Sequence, residues 1–138
     1  MRIIGLDLGS KTLGVAISDT LKLIARPVET IRFDEDCYEY ALKQISEVIK
    51  KEKVSEIVLG LPRHMNGDIG YRGEISISFK EMLEETLDVK VYLWDERLTT
   101  KVANQTLISA NVSRKNRKKV VDQVAAVVIL QSYLDSLQ

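Results

Sequence analysis

The sequence predicts an α/β fold in which an N-terminal β-hairpin opens a mixed sheet and helices alternate with strands afterwards. A short apolar run precedes a turn at 9–12, and a segment in which apolar and small residues alternate follows the turn. Later in the chain, apolar residues recur at helical spacing, and short apolar runs separate these helical segments. At 138 residues without a linker-like stretch, the chain is expected to be a single domain, residues 1–138.

The hairpin comes from the first twenty residues. Residues 3–8 form the short apolar run, and residues 13–18 alternate Leu, Val and Ile with Gly, Ala and Ser. Asp7 does not fit this pattern, because an unpaired charge buried in an apolar strand would be costly. It therefore needs a partner, a metal ion or contact with solvent.

Three more strands and four helices are predicted after the hairpin. Pro27 lies in the third strand and cannot donate a ladder hydrogen bond, which places that strand at the edge of the sheet. The loop over 61–73 is too long for a simple turn and is a candidate functional loop. The predicted segments are strands over 22–30, 54–60 and 89–94 and helices over 34–51, 74–87, 99–109 and 113–137.

The order of the elements decides which acidic residues can meet. If each helix is a right-handed crossover, strands one, three, four and five share one carboxyl edge, where ligand sites lie in such sheets. Asp7 ends the first strand and the pair Asp95–Glu96 ends the fifth, so both reach this edge. Asp19 and Asp88 are expected at the opposite edge.

The last helix can bring a third carboxylate. Asp122 is followed by Ala126 at i+4 and by further apolar positions at i+7 and i+11, so it shares a face that should turn towards the sheet. Two carboxylates about 4 Å apart repel by about 4 kcal/mol at an effective dielectric near 20. Mg²⁺ or Mn²⁺ would remove this repulsion, and paired ions support phosphodiester hydrolysis. The alternative interpretation involves no metal site. In it, Asp95–Glu96 only ends a strand before a helix, and Asp122 makes a structural salt bridge.

Charge is balanced overall but not along the chain. With 20 basic and 20 acidic residues, any attraction to nucleic acid must be local. The span 98–121 contains no acidic residue, and a basic cluster runs through it up to Asp122. The cluster comprises Lys101, Arg114, Lys115, Arg117, Lys118 and Lys119. A positive patch beside an acidic metal site favours a polyanionic substrate, although a solvated helix start would have the same composition.

Cysteine content and hydropathy bear on the cellular compartment. The single cysteine, Cys37, excludes an internal disulfide framework and a Cys-based zinc site. No apolar run reaches membrane-spanning length, and the N-terminus lacks the layout of a signal peptide. We therefore expect a cytoplasmic protein without a membrane partner.

Four stretches of the chain match a known pattern. They are 5–19, 60–62 with 66–67, 95–100, and 118–122 with 125–126 and 129–130. With these stretches the chain resembles the YqgF family of bacterial RNase H-like nucleases, related in fold to RuvC-type Holliday junction resolvases. The resemblance implies a five-stranded RNase H-like mixed sheet of order 3-2-1-4-5, with strand 2 antiparallel, flanked by helices. It also implies a divalent-metal-dependent nuclease, either maturing the 5′ end of pre-16S ribosomal RNA or resolving branched DNA.

The resemblance also assigns roles to residues. The family's acidic triad falls on Asp7, Glu96 and Asp122, with Asp95 as the alternative to Glu96, and Mg²⁺ or Mn²⁺ is the implied cofactor. The expected contacts to the nucleic-acid backbone are Lys11, Arg97, Arg114, Lys115, Arg117, Lys118 and Lys119. The competing interpretation of the same residues is a catalytically weak nucleic-acid-binding module.

Overall fold

The computed structural model describes residues 2–64, 66–95 and 114–137, and in the last range it describes side chains from residue 124 onwards. Its strands are β1 (Ile3–Leu8), β2 (Thr12–Ser18), β3 (Ala25–Arg32), β4 (Glu56–Leu61) and β5 (Lys90–Asp95). Its helices are α1 (Tyr38–Glu52), α2 (Tyr71–Thr86) and α3 (Arg114–Ser136). The helix predicted over 99–109 lies outside the described residues. Within the described ranges, no helix is long and apolar enough to cross a membrane.

The five strands form one sheet in the order β3-β2-β1-β4-β5, which confirms the predicted order. β2 runs antiparallel to both of its neighbours, whereas β1 is parallel to β4 and β4 is parallel to β5. The carboxyl ends of β1, β3, β4 and β5 therefore share one edge of the sheet. We call it the carboxyl edge, and the opposite one the amino edge.

Each face of the sheet has its own apolar core. Even-numbered residues of β1, such as Leu6, pack with α1 and α2 in a core that includes Phe79. The odd-numbered Ile3 packs instead with α3, in a core that includes Leu130. Because successive strand residues point to opposite faces, the odd positions of β1 share the face that α3 covers.

α3 lies directly on β1 because Gly5 has no side chain. A Cβ placed on Gly5 would lie 2.6 Å from the Cβ of Leu130 and 3.1 Å from the carbonyl oxygen of Ala126. The first distance is shorter than real Cβ contacts, so a larger residue here would push the helix and the strand apart. Gly5 thus fixes how closely α3 approaches the sheet.

The helices begin at other residues than the sequence predicts. α1 begins at Tyr38 instead of 34, because Asp36 has a left-handed φ of 60° and its N–H donates to the Ser10 carbonyl. α2 begins at Tyr71 instead of 74 and includes Gly73, where a Cβ would lie 2.7 Å from a carbonyl oxygen of the preceding loop. Contacts outside the helices therefore decide where the helices begin.

β3 is an edge strand, as Pro27 predicts, and β5 lies at the other edge of the sheet. Val15 pairs with Glu29 and Ala16 pairs with Pro27, so Val28 is an extra residue on the outer strand. Such a β-bulge bends an edge strand and increases its twist. The strand begins at Ala25, three residues later than predicted, because residues 19–24 form a separate hydrogen-bonded loop.

Candidate active site

Asp7 lies near the end of β1 and is half-buried at the carboxyl edge. Its antiparallel partner in β2 is Gly14. On the other side, Leu6 pairs with Leu59, so the continuing register places Gly60 beside Asp7. Neither glycine has a side chain, so the sheet itself leaves room beside the Asp7 carboxylate for a ligand atom.

The register places Asp7 and Asp95 on opposite faces of the sheet. Asp7 follows Ile3 on the α3 face, and its row continues through Gly60 to Trp94. Asp95 pairs with Leu61, one residue further along β4, and so belongs to the other face. Both residues reach the carboxyl edge as predicted, but only Asp7 lies on the face that α3 covers.

The direction of α3 places its N-terminal part towards Asp7. Ala126 contacts the Gly5 position, whereas the Gln131 side chain accepts a hydrogen bond from the Ala25 N–H, at the amino edge. α3 therefore runs from the carboxyl edge to the amino edge. Asp122 lies one turn before Ala126, about 6 Å along the helix, and Asp7 lies about 6.6 Å beyond Gly5. The backbone of α3 at Asp122 thus lies on the carboxyl-edge side of Gly5, towards Asp7, while the Asp122 side chain is outside the described residues.

Asp19 lies at the amino edge, as predicted, and has a structural role there. Its Oδ1 accepts hydrogen bonds from the N–H groups of Leu23 at 2.7 Å and Ile24 at 3.0 Å. These two hydrogen bonds hold the pKa of the Asp19 carboxyl below its usual value. Asp88 also lies near the amino edge, because Lys90 pairs with Glu56 at the start of β4. The structure thus excludes both residues from the carboxyl edge.

Lys11 is exposed in the β1–β2 turn, at the carboxyl edge as predicted. The turn is closed by a hydrogen bond from the Gly9 N–H to the Thr12 carbonyl at 2.7 Å. The Lys11 carbonyl accepts a hydrogen bond from the Phe33 N–H at 2.9 Å, which ties the turn to the end of β3. The Lys11 backbone is therefore fixed beside the end of β1, and the residue is exposed.

The side chains of several predicted site residues lie outside the part of the chain that the structure describes. Glu96, Arg97 and Lys101 lie outside the described residues. The remaining basic cluster stands in the first turns of α3, where only the backbone is described: Arg114, Lys115, Arg117, Lys118 and Lys119. In the described part of the chain, no three His, Cys, Asp or Glu side chains are close enough to hold a metal ion together.

Sequence reasoning missed Arg72, in the first turn of α2. Its Nη1 donates to the Tyr38 hydroxyl at 3.0 Å, and that hydroxyl donates to Asp36 Oδ1 at 2.8 Å. Its Nη2 lies 3.5 Å from the carbonyl oxygen of Leu8, the residue after Asp7. Burial raises the pKa of Tyr38, so the hydroxyl keeps its proton and continues to donate. The only signal in the sequence was the position of Arg72 in the long loop after β4.

The chain is similar to a known family and to relatives of the same length. A family model described as "RuvX: Holliday junction resolvase" matches residues 1–136. A Bacillus licheniformis protein named "Putative pre-16S rRNA nuclease" is 58% identical over 137 residues, covering 99% of both chains. A Bacillus subtilis protein of the same name is 56% identical, also with 99% coverage of both.

A solved structure shares the fold at low sequence identity. It is Thermus thermophilus RuvC in complex with a Holliday junction substrate, with a TM-score of 0.68 and 12% identity. The match covers 99% of this chain and 95% of that one. The likeness confirms the RNase H-like fold that the sequence resemblance implies.

Proposed function

Since the chain belongs to the RuvX family, also called YqgF, we propose that it is a divalent-metal-dependent nuclease that hydrolyses phosphodiester bonds. The observation that carries the proposal is the position of Asp7 at the carboxyl edge, between two glycines and on the face that α3 covers. Its substrate is the 5′ region of pre-16S ribosomal RNA, and it acts in the cytoplasm.

The proposed catalytic residues are Asp7, Glu96 and Asp122. Asp122 stands in the part of α3 that lies towards the carboxyl edge, which supports its place in this group. Alternation along β5 supports Glu96 over Asp95, because Asp95 belongs to the face of α1 and α2. Glu96 is therefore the proposed member of this pair, with Asp95 as the alternative.

The chemistry of the donors fits Mg²⁺ or Mn²⁺. Carboxylate oxygens are hard ligands, which these cations prefer. Asp7 is half-buried and not enclosed in the core, and the neighbouring glycines add no side chain to its row. Asp7, Glu96 and Asp122 would hold the metal, which when bound activates a water molecule and stabilises the leaving oxygen.

The nucleic acid is proposed to lie along the carboxyl edge. Lys11 is exposed in the turn beside the end of β1, and its ammonium group is proposed to contact a phosphate. Arg97 and the basic cluster at the start of α3 are proposed to contact the backbone on the other side of Asp7. These contacts neutralise phosphate charge, so binding should weaken as salt concentration rises.

RNA is favoured as the substrate by the names of full-length relatives at 58% and 56% identity. Holliday junction resolution is the second candidate. It is favoured by the description of the RuvX family, whose model matches residues 1–136.

Cleavage of two labelled substrates tests the proposal. One is RNA that carries a pre-16S 5′ leader, and the other is a four-way DNA junction, each with Mg²⁺ or with Mn²⁺. Metal-dependent RNA cleavage by the wild type, lost in both Asp7→Asn and Asp122→Asn, is the expected result. If only the junction is cut, the resolvase is the correct function. If neither substrate is cut but both are bound, the protein is a binding module and not a nuclease.

A further inference from the structure

The loop between β2 and β3 exposes three aliphatic side chains within four residues, with the half-exposed Lys22 among them. Leu21 is 74%, Leu23 is 44% and Ile24 is 66% exposed. The loop lies at the amino edge, away from Asp7. Single exposed apolar residues are ordinary, but a cluster marks a contact site. We call Leu21, Leu23 and Ile24 the apolar loop surface.

Side chains on both sides hold this loop in one conformation. The Asp19 carboxylate accepts hydrogen bonds from the N–H groups of Leu23 and Ile24, at 2.7 and 3.0 Å. The Gln131 side chain of α3 makes two hydrogen bonds to the loop. Its Nε2 donates to the Leu23 carbonyl at 2.9 Å, and its Oε1 accepts a hydrogen bond from the Ala25 N–H at 2.8 Å. The backbone is therefore fixed while the aliphatic groups project outwards. A surface that is already ordered loses little conformational entropy when it binds.

Two opposite charges adjoin the apolar loop surface. Arg26 is exposed two residues after Ile24. Asp135 is exposed beside Leu23, because Gln131 Nε2 also donates to Asp135 Oδ1 at 3.0 Å. A two-fold axis brings the same patch of both subunits together. Around such an axis, Arg26 of each copy can face Asp135 of the other, so the surface complements itself in charge as well as in apolar character.

We propose that the apolar loop surface binds a second copy of this chain in a two-fold dimer. Because the surface lies at the amino edge, the dimer leaves the carboxyl edge of both copies open to nucleic acid. Three side chains and two flanking charges supply less than the roughly 800 Å² per partner of a standard interface. The dimer is therefore expected to be reversible and to dissociate on dilution.

Sedimentation equilibrium of the full chain from micromolar to millimolar concentration tests the proposal. The mass is expected to rise from 15.6 kDa towards twice that value. Ile24→Asp and Leu21→Asp should each keep the protein at the monomer mass. Tyr40→Asp is the matched control, because Tyr40 is 50% exposed on α1, outside the surface, and its variant should dimerise like the wild type. Circular dichroism and thermal unfolding check that each variant is folded.

A charge swap tests the two-fold arrangement itself. Arg26→Asp should weaken the dimer, and the double variant Arg26→Asp with Asp135→Arg should restore it. A wild type that stays monomeric at every concentration overturns the proposal, as does a Tyr40→Asp variant that loses dimerisation as completely as Ile24→Asp. A double swap that recovers no association overturns the two-fold pairing. RNA cleavage by Ile24→Asp is measured separately, so failure of the dimer and failure of the nuclease are distinguishable.

Discussion

Gly5 of β1 and Leu130 of α3 are in direct contact, with only 2.6 Å between a Cβ built on Gly5 and the Leu130 Cβ. The neighbouring atom on the helix side is the Ala126 carbonyl oxygen, at 3.1 Å from the same point. The Leu130 Cβ and this oxygen belong to the helix framework and cannot rotate away. The contact therefore sets the height of α3, and with it the height of Asp122, above the strand that carries Asp7.

Gly5→Ala is expected to lower the free energy of unfolding by about 1 to 3 kcal/mol, because overpacking must move α3 or β1. Urea denaturation measures this change. Glu47→Ala, at an exposed position of α1, is the control and should change the free energy of unfolding by less than about 0.5 kcal/mol. If Gly5→Ala unfolds at the same urea concentration as the wild type, the close contact between β1 and α3 is not present in solution.

Asp7→Asn and Asp95→Asn should differ sharply in metal-dependent cleavage. Asp7→Asn is expected to lower kcat at least a hundredfold, as loss of a directly acting group does. Asp95→Asn should keep most of the activity, because Asp95 lies on the other face of the sheet. Initial rates with saturating Mg²⁺ measure both variants. Equal losses in the two variants would make Asp95, and not Glu96, the partner of Asp7.

Asp19 should make stability depend on pH in the acidic range. Its pKa is lowered in the folded state by hydrogen bonds from the Ile24 and Leu23 N–H groups, so the carboxylate stabilises the fold above the unfolded-state pKa of about 3.9. That contribution is lost as the pH falls through the folded-state pKa. Asp19→Asn keeps an acceptor oxygen but no charge.

The free energy of unfolding of the wild type and of Asp19→Asn, measured from about pH 7 to about pH 2, tests this pH dependence. The advantage of the wild type should shrink as the pH falls. Asp34→Asn is a control at an exposed position. A difference between wild type and Asp19→Asn that stays constant with pH would mean that charge at Asp19 does not stabilise the loop.

Trp94 is expected to report nucleic-acid binding by fluorescence. It is the only tryptophan in the chain, and it shares the row of Asp7 two strands away, at about 10 Å. Its Nε1 donates to Ser132 Oγ at 3.2 Å, which fixes the indole ring. RNA bound at Asp7 should therefore change the emission of Trp94.

The measurement is a titration with RNA in the absence of added metal, with anisotropy of labelled RNA as an independent readout of binding. Trp94→Phe is the control for emission from the five tyrosines. Constant Trp94 emission while anisotropy shows binding would place the RNA away from the carboxyl edge.

The shared direction of strands one, three, four and five could be predicted from right-handed crossovers, and the strand order from the family resemblance. The face of each acidic residue could not, because it depends on the register between β1, β4 and β5. Asp7 and Asp95 both lie at the carboxyl edge, on strands that β4 separates. Asp95 is one residue beyond the row of Asp7, so the two side chains belong to opposite faces of the sheet. The sequence also places Asp19 correctly at the amino edge without indicating that it holds a loop.

Helix ends and the Arg72 contacts depend on parts of the chain that are distant in sequence. Tyr38 and Arg72 are 34 residues apart, and the hydrogen bond between them joins the starts of α1 and α2. No local pattern predicts such a pair. The left-handed backbone at Asp36, which delays the start of α1, likewise follows from its hydrogen bond to the β1–β2 turn.

The bulge at Val28 and the neighbouring Pro27 protect the β3 edge of the sheet from pairing with strands of other molecules. A flat, regular edge strand is a template on which strands of other molecules can add, which is how edge-to-edge aggregation begins. Pro27 offers no N–H, and the bulge interrupts the regular repeat of the outer edge. Addition of a foreign strand at β3 should therefore be disfavoured, and a Pro27→Val variant should lose part of that resistance.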